Sequence, residues 1–166
     1  HNTKVEIAPG VEISTMGIGA ATFGGLFTSM SDSDASDVVK SAFAHGINYF
    51  DTAPHYGKGT SERRLGALLS SYPRNSYILS TKIGRLLVPT TQGADPDFLD
   101  ADPTVERLFD YSAQGVERSL KESLERLGLA NIDIVFVLSP NTKGSTQGSH
   151  SMPKARPTET QTPSFS

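Results

Sequence analysis

The sequence of 166 residues contains no cysteine, and this absence excludes disulfide bonds and metal sites built on thiolates. It also fits a reducing compartment, so we expect a cytoplasmic protein, and we predict no metal site. The net charge is -3 and no basic cluster occurs, so a nucleic-acid partner is not expected. No signal peptide is evident, and no apolar run approaches the ~18 residues of a membrane-spanning helix, so neither secretion nor a membrane partner is expected.

The end of the chain also lacks the residues that build a core. Residues 139–166 contain no leucine, isoleucine or valine, and 17 of these 28 residues are serine, threonine, proline or glycine. Such a segment cannot bury enough apolar surface to stay ordered. We therefore predict a folded domain over residues 1–138 and a disordered tail over residues 139–166. The chain begins at His1 rather than at a methionine, which suggests a trimmed or partial sequence.

The folded part begins with a predicted hairpin and continues as alternating strands and helices. Val5, Ile7, Val11 and Ile13 alternate around a Pro-Gly turn over residues 4–14. Apolar spacing of three and four residues predicts helices that begin near Ser31, Ser61 and Tyr111. Strand patterns lie between and around these helices, over residues 16–21, 47–51, 77–82 and 132–138.

Two other segments carry specific expectations. Residues 85–110 contain three prolines and several acids, and they are predicted to form a long loop. In the third helix an apolar stripe is formed by Val116, Leu120, Leu124 and Leu127. Glu117 with Lys121 and Glu122 with Arg126 have the i,i+4 spacing of ion pairs, which we expect on its solvent-exposed side.

The order of elements predicts an α/β fold. Strands that alternate with helices form parallel sheets through right-handed crossovers, and polar residues at successive strand ends are typical of a (β/α)8 barrel. A complete barrel has eight strands and about 250 residues. We therefore predict a truncated (β/α)8 TIM barrel of about four parallel strands and three helices, preceded by an N-terminal β-hairpin. Its open sheet edges predict self-association.

Three ionisable residues lie near the ends of two neighbouring strands. Asp51 ends the second strand of the alternation, Tyr56 follows five residues later, and Lys82 ends the third. A phenol ionises near pH ~10, so it exchanges protons poorly at neutral pH unless a nearby ammonium stabilises the phenolate. A carboxylate would in turn hold that ammonium. Singly, each residue is more typical of a loop cap, a half-buried aromatic or a solvated lysine.

Around these residues the sequence resembles the aldo-keto reductase superfamily. The matching segments are GINYFDTAPHYG at 46–57, SERRLG at 61–66, STK at 80–82, FDYS at 109–112 and SLKESLERLG at 119–128. They are most similar to the sugar-dehydrogenase branch, and the resemblance covers roughly residues 4–137.

The resemblance implies a role for each site residue. Tyr56 would be the acid-base group of a hydride transfer that uses NAD or NADP, Lys82 would stabilise its phenolate, and Asp51 would pair with Lys82 beside the nicotinamide ribose. Thr22 is a further candidate for cofactor binding. His55 is a candidate for substrate contact, although a solvent-exposed histidine is the interpretation we favour.

The sequence departs from the family pattern at Leu138, where the resemblance implies a fourth catalytic residue, a histidine. Loss of one polarising donor typically lowers the rate about 10²–10³-fold. We therefore expect an NAD(P)-dependent oxidoreductase for an aldose or a small aldehyde that is impaired or inactive as this chain. The alternatives are a non-catalytic half-barrel that associates with another subunit, or a mis-spliced or frameshifted product.

Overall fold

The computed structural model describes residues 3–91, 93 and 95–137. It opens with the predicted hairpin, in which strand β1 (Lys4–Ala8) pairs antiparallel with β2 (Val11–Ser14). Gly10 has a φ of 76° in the turn between them, a conformation that glycine adopts at no steric cost. Leu138 and the segment 139–166, for which we predict a disordered tail, lie outside the described residues.

A parallel sheet of four strands forms the centre of the fold. Its strands are β3 (Gly17–Gly19), β4 (Tyr49–Asp51), β5 (Ile78–Ile83) and β8 (Ile134–Val137), in the spatial order β3-β4-β5-β8. Gly19 pairs with Asp51, and Asp51 pairs with Ser80, so the carboxyl ends of these strands meet at one edge. Together with three helices this sheet is the predicted part of a (β/α)8 barrel.

Three helices connect the strands, and serine side chains cap the first and the third at their N-termini. Helix α1 (Asp32–Ala44) begins after Ser31, whose hydroxyl accepts a hydrogen bond from the amide of Asp34 at 3.1 Å. Helix α2 spans Thr60–Leu69. Helix α3 (Ala113–Leu127) is capped by Ser112 and ends at Gly128, which has a φ of 63°.

The hydrophobic core lies between the helices and one face of the sheet. Phe50 is fully buried at the centre of β4, with its ring centroid 6.4 Å from that of Tyr77 in an edge-to-face arrangement. Helices α2 and α3 approach closely, since a Cβ atom on Gly66 would lie 2.0 Å from the carbonyl oxygen of Leu127. The buried apolar residues are Ala20, Phe23, Ala35, Val39, Ala42, Phe50, Leu65, Leu69, Tyr77, Leu79 and Leu127.

The prediction of a loop over residues 85–110 is wrong. Strand β6 (Arg85–Pro89) pairs antiparallel with β7 (Val105–Phe109), and the two strands form a second hairpin beside the main sheet. The prolines that suggested a loop lie at the end of β6 or in the connection, where they remove no ladder hydrogen bond. The two strands pair through residues that are far apart in sequence. The spacing of residues within a short segment does not show such pairing.

The expectation for the exposed side of α3 is wrong for one residue. The side chain of Arg126 is only 14% exposed, and its Nε atom donates to the fully buried Glu62 at 2.6 Å. Glu122 accepts from Arg118 at 2.6 Å and lies 3.8 Å from Arg126. In the part of the chain that the structure describes, no helix is long and apolar enough to cross a membrane.

Candidate active site

The predicted acid and amine are in direct contact at the carboxyl edge of the sheet. The Nζ atom of Lys82 lies 2.7 Å from Oδ2 of Asp51, and it also donates to the carbonyl oxygen of Thr52 at 3.0 Å. The other carboxylate oxygen, Oδ1, accepts from the hydroxyl of Ser80 at 2.6 Å. These contacts fix the ammonium and the carboxylate at adjacent strand ends, although both remain partly accessible to solvent.

Tyr56 joins this pair from the loop that follows β4. The Lys82 Nζ atom lies 4.7 Å from the centroid of the Tyr56 ring, within the range of a cation–π contact. The structure therefore brings Asp51, Tyr56 and Lys82 together, as their positions in the sequence predict.

The backbone after Tyr56 turns sharply, and this turn determines where the ring lies. Gly57, Lys58 and Gly59 have φ values of 61°, 50° and 88°, so three consecutive residues are left-handed. Lys58 adopts this conformation without being glycine, and its Nζ atom donates to the carbonyl oxygen of Gly93 at 3.3 Å. Left-handed backbone at a non-glycine residue is uncommon and often occurs at functional sites.

The same turn is packed against the segment that follows β3. A Cβ atom on Gly24 would lie 2.5 Å from the amide nitrogen of Gly57 and 2.5 Å from the carbonyl carbon of Tyr56. Since both neighbours are backbone atoms, no side chain could move aside to make room. The absence of a side chain at Gly24 therefore allows the position that Tyr56 occupies.

His55 is not the solvent-exposed residue that we expected. Its ring is half-buried and meets the ring of Phe98 edge-on, with 5.2 Å between centroids. Burial, followed by the nearby charges of Arg107, Arg85 and Lys82, lowers the pKa of His55 from 6.5 to about 4. The imidazole is therefore neutral at physiological pH, and its Nδ1 atom is buried without a hydrogen-bond partner.

Thr22 lies at the same edge of the sheet but apart from the other candidates. It is the first residue of a short 3-10 turn, Thr22–Gly24, shortly after the end of β3. Its carbonyl oxygen accepts from the amide of Gly25 at 2.9 Å, and its side chain is exposed. Thr22 is thus an exposed residue in the turn that follows β3, the strand paired with β4.

The β6–β7 hairpin contributes residues that the sequence analysis did not identify. Arg107 pairs with Asp95, whose carboxylate is almost fully buried, and donates to the carbonyl oxygen of His55 at 3.4 Å. The guanidinium of Arg85 lies 4.9 Å from the centroid of the Phe109 ring. The sequence did contain a signal for these strands, because Arg85 and Leu87, and then Arg107 and Phe109, have the two-residue spacing of one strand face. The prediction of a loop over this segment concealed that signal.

A second ion pair lies on the opposite face of β5. The fully buried carboxylate of Glu62 accepts from Nε of Arg126 at 2.6 Å and from the hydroxyl of Thr81 at 2.8 Å. Thr81 directly precedes Lys82, and successive strand residues project to opposite faces. Within the described ranges, no group of three or more histidine, aspartate or glutamate residues could hold a metal ion.

Comparison with known proteins shows which family the chain resembles. The profile of the aldo/keto reductase family matches residues 15–145. The chain is 45% identical over 139 residues to D-threo-aldose 1-dehydrogenase from Pseudomonas, a match over 80% of this chain and 42% of that protein. It is 37% identical to L-galactose dehydrogenase from Arabidopsis thaliana, over 80% of this chain and 38% of that protein.

Solved structures give the same picture of the fold. An aldo-keto reductase from Bacillus halodurans, in its holo form, superposes with a TM-score of 0.64 at 25% identity, over 82% of this chain and 40% of that one. A glycerol dehydrogenase from Gluconobacter oxydans superposes with a TM-score of 0.61 at 28% identity, over 81% of this chain and 38% of that one. The chain spans about two fifths of the length of the curated relatives described above.

Proposed function

Because the chain belongs to the aldo/keto reductase family, we propose that it carries the acid-base part of an NAD(P)-dependent oxidoreductase for aldoses or small aldehydes. The observation that supports this proposal best is the ammonium of Lys82, held 2.7 Å from Asp51 and 4.7 Å from the Tyr56 ring centroid. In this proposal the ammonium stabilises the negative charge that Tyr56 carries during proton transfer. The names of the similar dehydrogenases support a sugar substrate.

In the proposed reaction each of the three residues has a defined task. The phenolate of Tyr56 takes the proton of the anomeric hydroxyl while the hydrogen on the same carbon leaves as hydride, which gives a lactone; in reverse, Tyr56 donates a proton to a carbonyl oxygen. When bound, the nicotinamide supplies or accepts that hydride. Lys82 stabilises the charge on Tyr56, and Asp51 holds Lys82 in place.

The described residues fit the reactive end of a dinucleotide. The carboxylate of Asp51 is 25% exposed at the carboxyl edge of the sheet and can still accept a hydrogen bond from a ribose hydroxyl. The exposed Thr22 hydroxyl is a second group that we propose for the cofactor. His55, beside Tyr56, is proposed to contact the substrate with a neutral ring. The choice between NAD and NADP stays open.

We propose that the 166-residue chain by itself is a slow catalyst. Leu138 stands where the resemblance implies a histidine, and a leucine side chain cannot donate a hydrogen bond to a substrate oxygen. Removal of one such donor typically lowers the rate about 10²–10³-fold.

A single-turnover assay at high protein concentration tests this proposal. Reduction of NAD and NADP would be followed by fluorescence with D-arabinose, L-galactose and L-fucose. We expect hydride transfer at least about tenfold below that of a full-length relative, and a further loss of about 10²–10⁴-fold in Tyr56→Phe. Tyr72→Phe also removes one phenolic hydroxyl, but from a ring stacked on Phe43, and it should leave the rate unchanged. Transfer that is unaffected by Tyr56→Phe would refute the proposal.

One observation favours a second candidate, a non-catalytic half-barrel that associates with another subunit. In the described part of the sheet, β3 and β8 each have an unpaired edge, and Val135, Phe136 and Val137 of β8 are 38%, 46% and 69% exposed. Apolar side chains on an unpaired strand favour association. Size-exclusion chromatography separates the candidates: a defined dimer without affinity for NADP supports the second, and a monomer that binds NADP supports the first.

A further inference from the structure

The β6–β7 hairpin carries two arginines on one face. Arg85 pairs with Phe109 and Leu87 pairs with Arg107, so the alternation of side chains places Arg85 and Arg107 on the same side as diagonal neighbours, about 7–8 Å apart. Leu86, which points to the opposite side, is only 2% exposed and packs inward. This cationic face therefore carries two guanidinium groups next to the apolar side chains of Leu87 and Phe109.

This cationic face is directed at the candidate active site. Arg107 donates to the carbonyl oxygen of His55 at 3.4 Å, and its guanidinium lies 5.8 Å from the centroid of Phe98. The Phe98 ring is stacked 6.2 Å from that of Tyr56. Arg85 lies close enough to His55 for its charge to contribute to the lowered pKa of that imidazole.

The positive charges near Tyr56 are not equally compensated. Lys82 is paired with Asp51, and Arg107 is paired with Asp95. Within residues 3–91, 93 and 95–137, no carboxylate lies at ion-pair distance from Arg85, whose Nε atom is buried without a hydrogen-bond partner. A half-buried guanidinium is normally paired, because removing its charge from water costs free energy. One surplus positive charge thus faces the site.

We propose that Arg85, assisted by Arg107, forms an anion subsite beside Tyr56 that binds the carboxylate of an acidic sugar. Guanidinium groups match carboxylates through two parallel N–H···O hydrogen bonds, which the two terminal nitrogens of Arg85 would donate in this subsite. The preferred substrate is then a uronate or a similar aldehyde acid rather than a neutral aldose. The choice of a substrate rests on the proposed function, whereas the binding of a carboxylate depends only on the hairpin.

A binding experiment on the full chain tests the subsite without cofactor or turnover. D-galacturonate and D-galactose differ at a single carbon, which carries a carboxylate in one and a hydroxymethyl group in the other. Each sugar would be titrated into 15N-labelled protein, and the Arg Nε–Hε signals would be followed by NMR. We expect galacturonate to shift the Arg85 signal saturably, with a Kd at least about tenfold lower than that of galactose.

Matched variants identify the residue responsible. Arg85→Gln should weaken galacturonate binding at least about tenfold without changing galactose binding, and Arg85→Lys, which keeps the charge, should have an intermediate effect. Arg118→Gln, which removes an exposed guanidinium paired with Glu122 on helix α3, should change neither. The amide spectrum of each variant reports whether it is folded.

Several results would overturn the assignment. Equal affinity for the two sugars, no binding of galacturonate, or an unchanged preference in Arg85→Gln would each exclude a carboxylate subsite at Arg85. Inorganic phosphate that displaces galacturonate at equal concentration would show a general anion site instead, and would refute the substrate assignment. No hydride is transferred in this binding experiment. A negative result would therefore refute the anion subsite without bearing on the proposed reaction, which the Tyr56→Phe assay tests separately.

Discussion

Two ion pairs lie on opposite faces of strand β5, and they differ chiefly in how far the carboxylate is exposed to solvent. Lys82 and Asp51 are 2.7 Å apart at the open edge of the sheet, with side chains 16% and 25% exposed. Arg126 of helix α3 and Glu62 of helix α2 are 2.6 Å apart, with side chains 14% and 0% exposed. Thr81, which hydrogen-bonds Glu62, and Lys82 are consecutive residues.

The difference lies in what surrounds each pair. The Glu62 carboxylate accepts from Arg126 and from Thr81 and is 0% exposed, so no ligand reaches the sealed pair from its acidic side. The Lys82 ammonium instead lies beside the Tyr56 ring, and the carboxylate of its partner Asp51 is partly open to solvent. We infer that the sealed pair maintains the fold and the open pair serves the reaction.

The largest effect on stability is expected from breaking the sealed pair. Glu62→Ala leaves the Arg126 guanidinium without its buried counter-charge, and loss of one partner of such a pair typically costs about 3–5 kcal/mol. Urea unfolding measures this change in the free energy of unfolding. Glu117→Ala, which removes an exposed carboxylate from α3, is the matched control and should cost less than about 0.5 kcal/mol. Equal effects of the two substitutions would contradict a structural role for Glu62.

A smaller effect is expected at the turn that positions Tyr56. Gly24→Ala would place a Cβ atom 2.5 Å from backbone atoms of Gly57 and Tyr56, so the turn must shift, at a cost of about 1–3 kcal/mol. Hydride transfer should fall as well, because the phenol moves with the turn. Gly19→Ala is the control, since a Cβ atom there has no neighbour within 4 Å. A fully active Gly24→Ala variant would show that the close approach does not position Tyr56.

The smallest effect is expected from the protonation of His55. Burial lowers the pKa of His55 to about 4 in the folded chain, from 6.5 in the unfolded one. The unfolded chain therefore binds the proton first as the pH falls, and stability that is complete above pH 6.5 decreases towards pH 4. Because the ring is only half-buried, solvent screening reduces the effect to about 1–2 kcal/mol.

His55→Asn should remove this part of the pH dependence, as measured by urea unfolding at pH 7 and pH 5. His45→Asn is the control, because His45 is exposed at the end of α1. If the free energy of unfolding changed equally between pH 7 and pH 5 in the wild-type chain and in His55→Asn, His55 would not be the source of the pH dependence.

Much of this arrangement could be predicted from the sequence. Ser31, Ser112 and the apolar spacing behind them indicate α1 and α3, because caps and periodicity act over a few residues. Asp51 and Lys82 could be placed together, since parallel strands bring their carboxyl ends to one edge. The β6–β7 hairpin could not be predicted in this way, because its two strands are separated by residues 90–104 and local patterns do not report their pairing. Likewise Arg126 has local i,i+4 spacing to Glu122, but its closer partner, Glu62, is distant in sequence.

The most direct test of these two roles compares Lys82→Met with Arg126→Met, with the free energy of unfolding and single-turnover hydride transfer measured on both. We predict that Lys82→Met changes stability by less than about 1 kcal/mol and lowers the transfer rate at least about 10²-fold. Arg126→Met should lower stability by about 3 kcal/mol or more, with an unchanged rate per folded molecule. If Lys82→Met instead destabilised the chain as much as Arg126→Met and left hydride transfer intact, the pair at the open edge would be structural and the proposed site would be wrong.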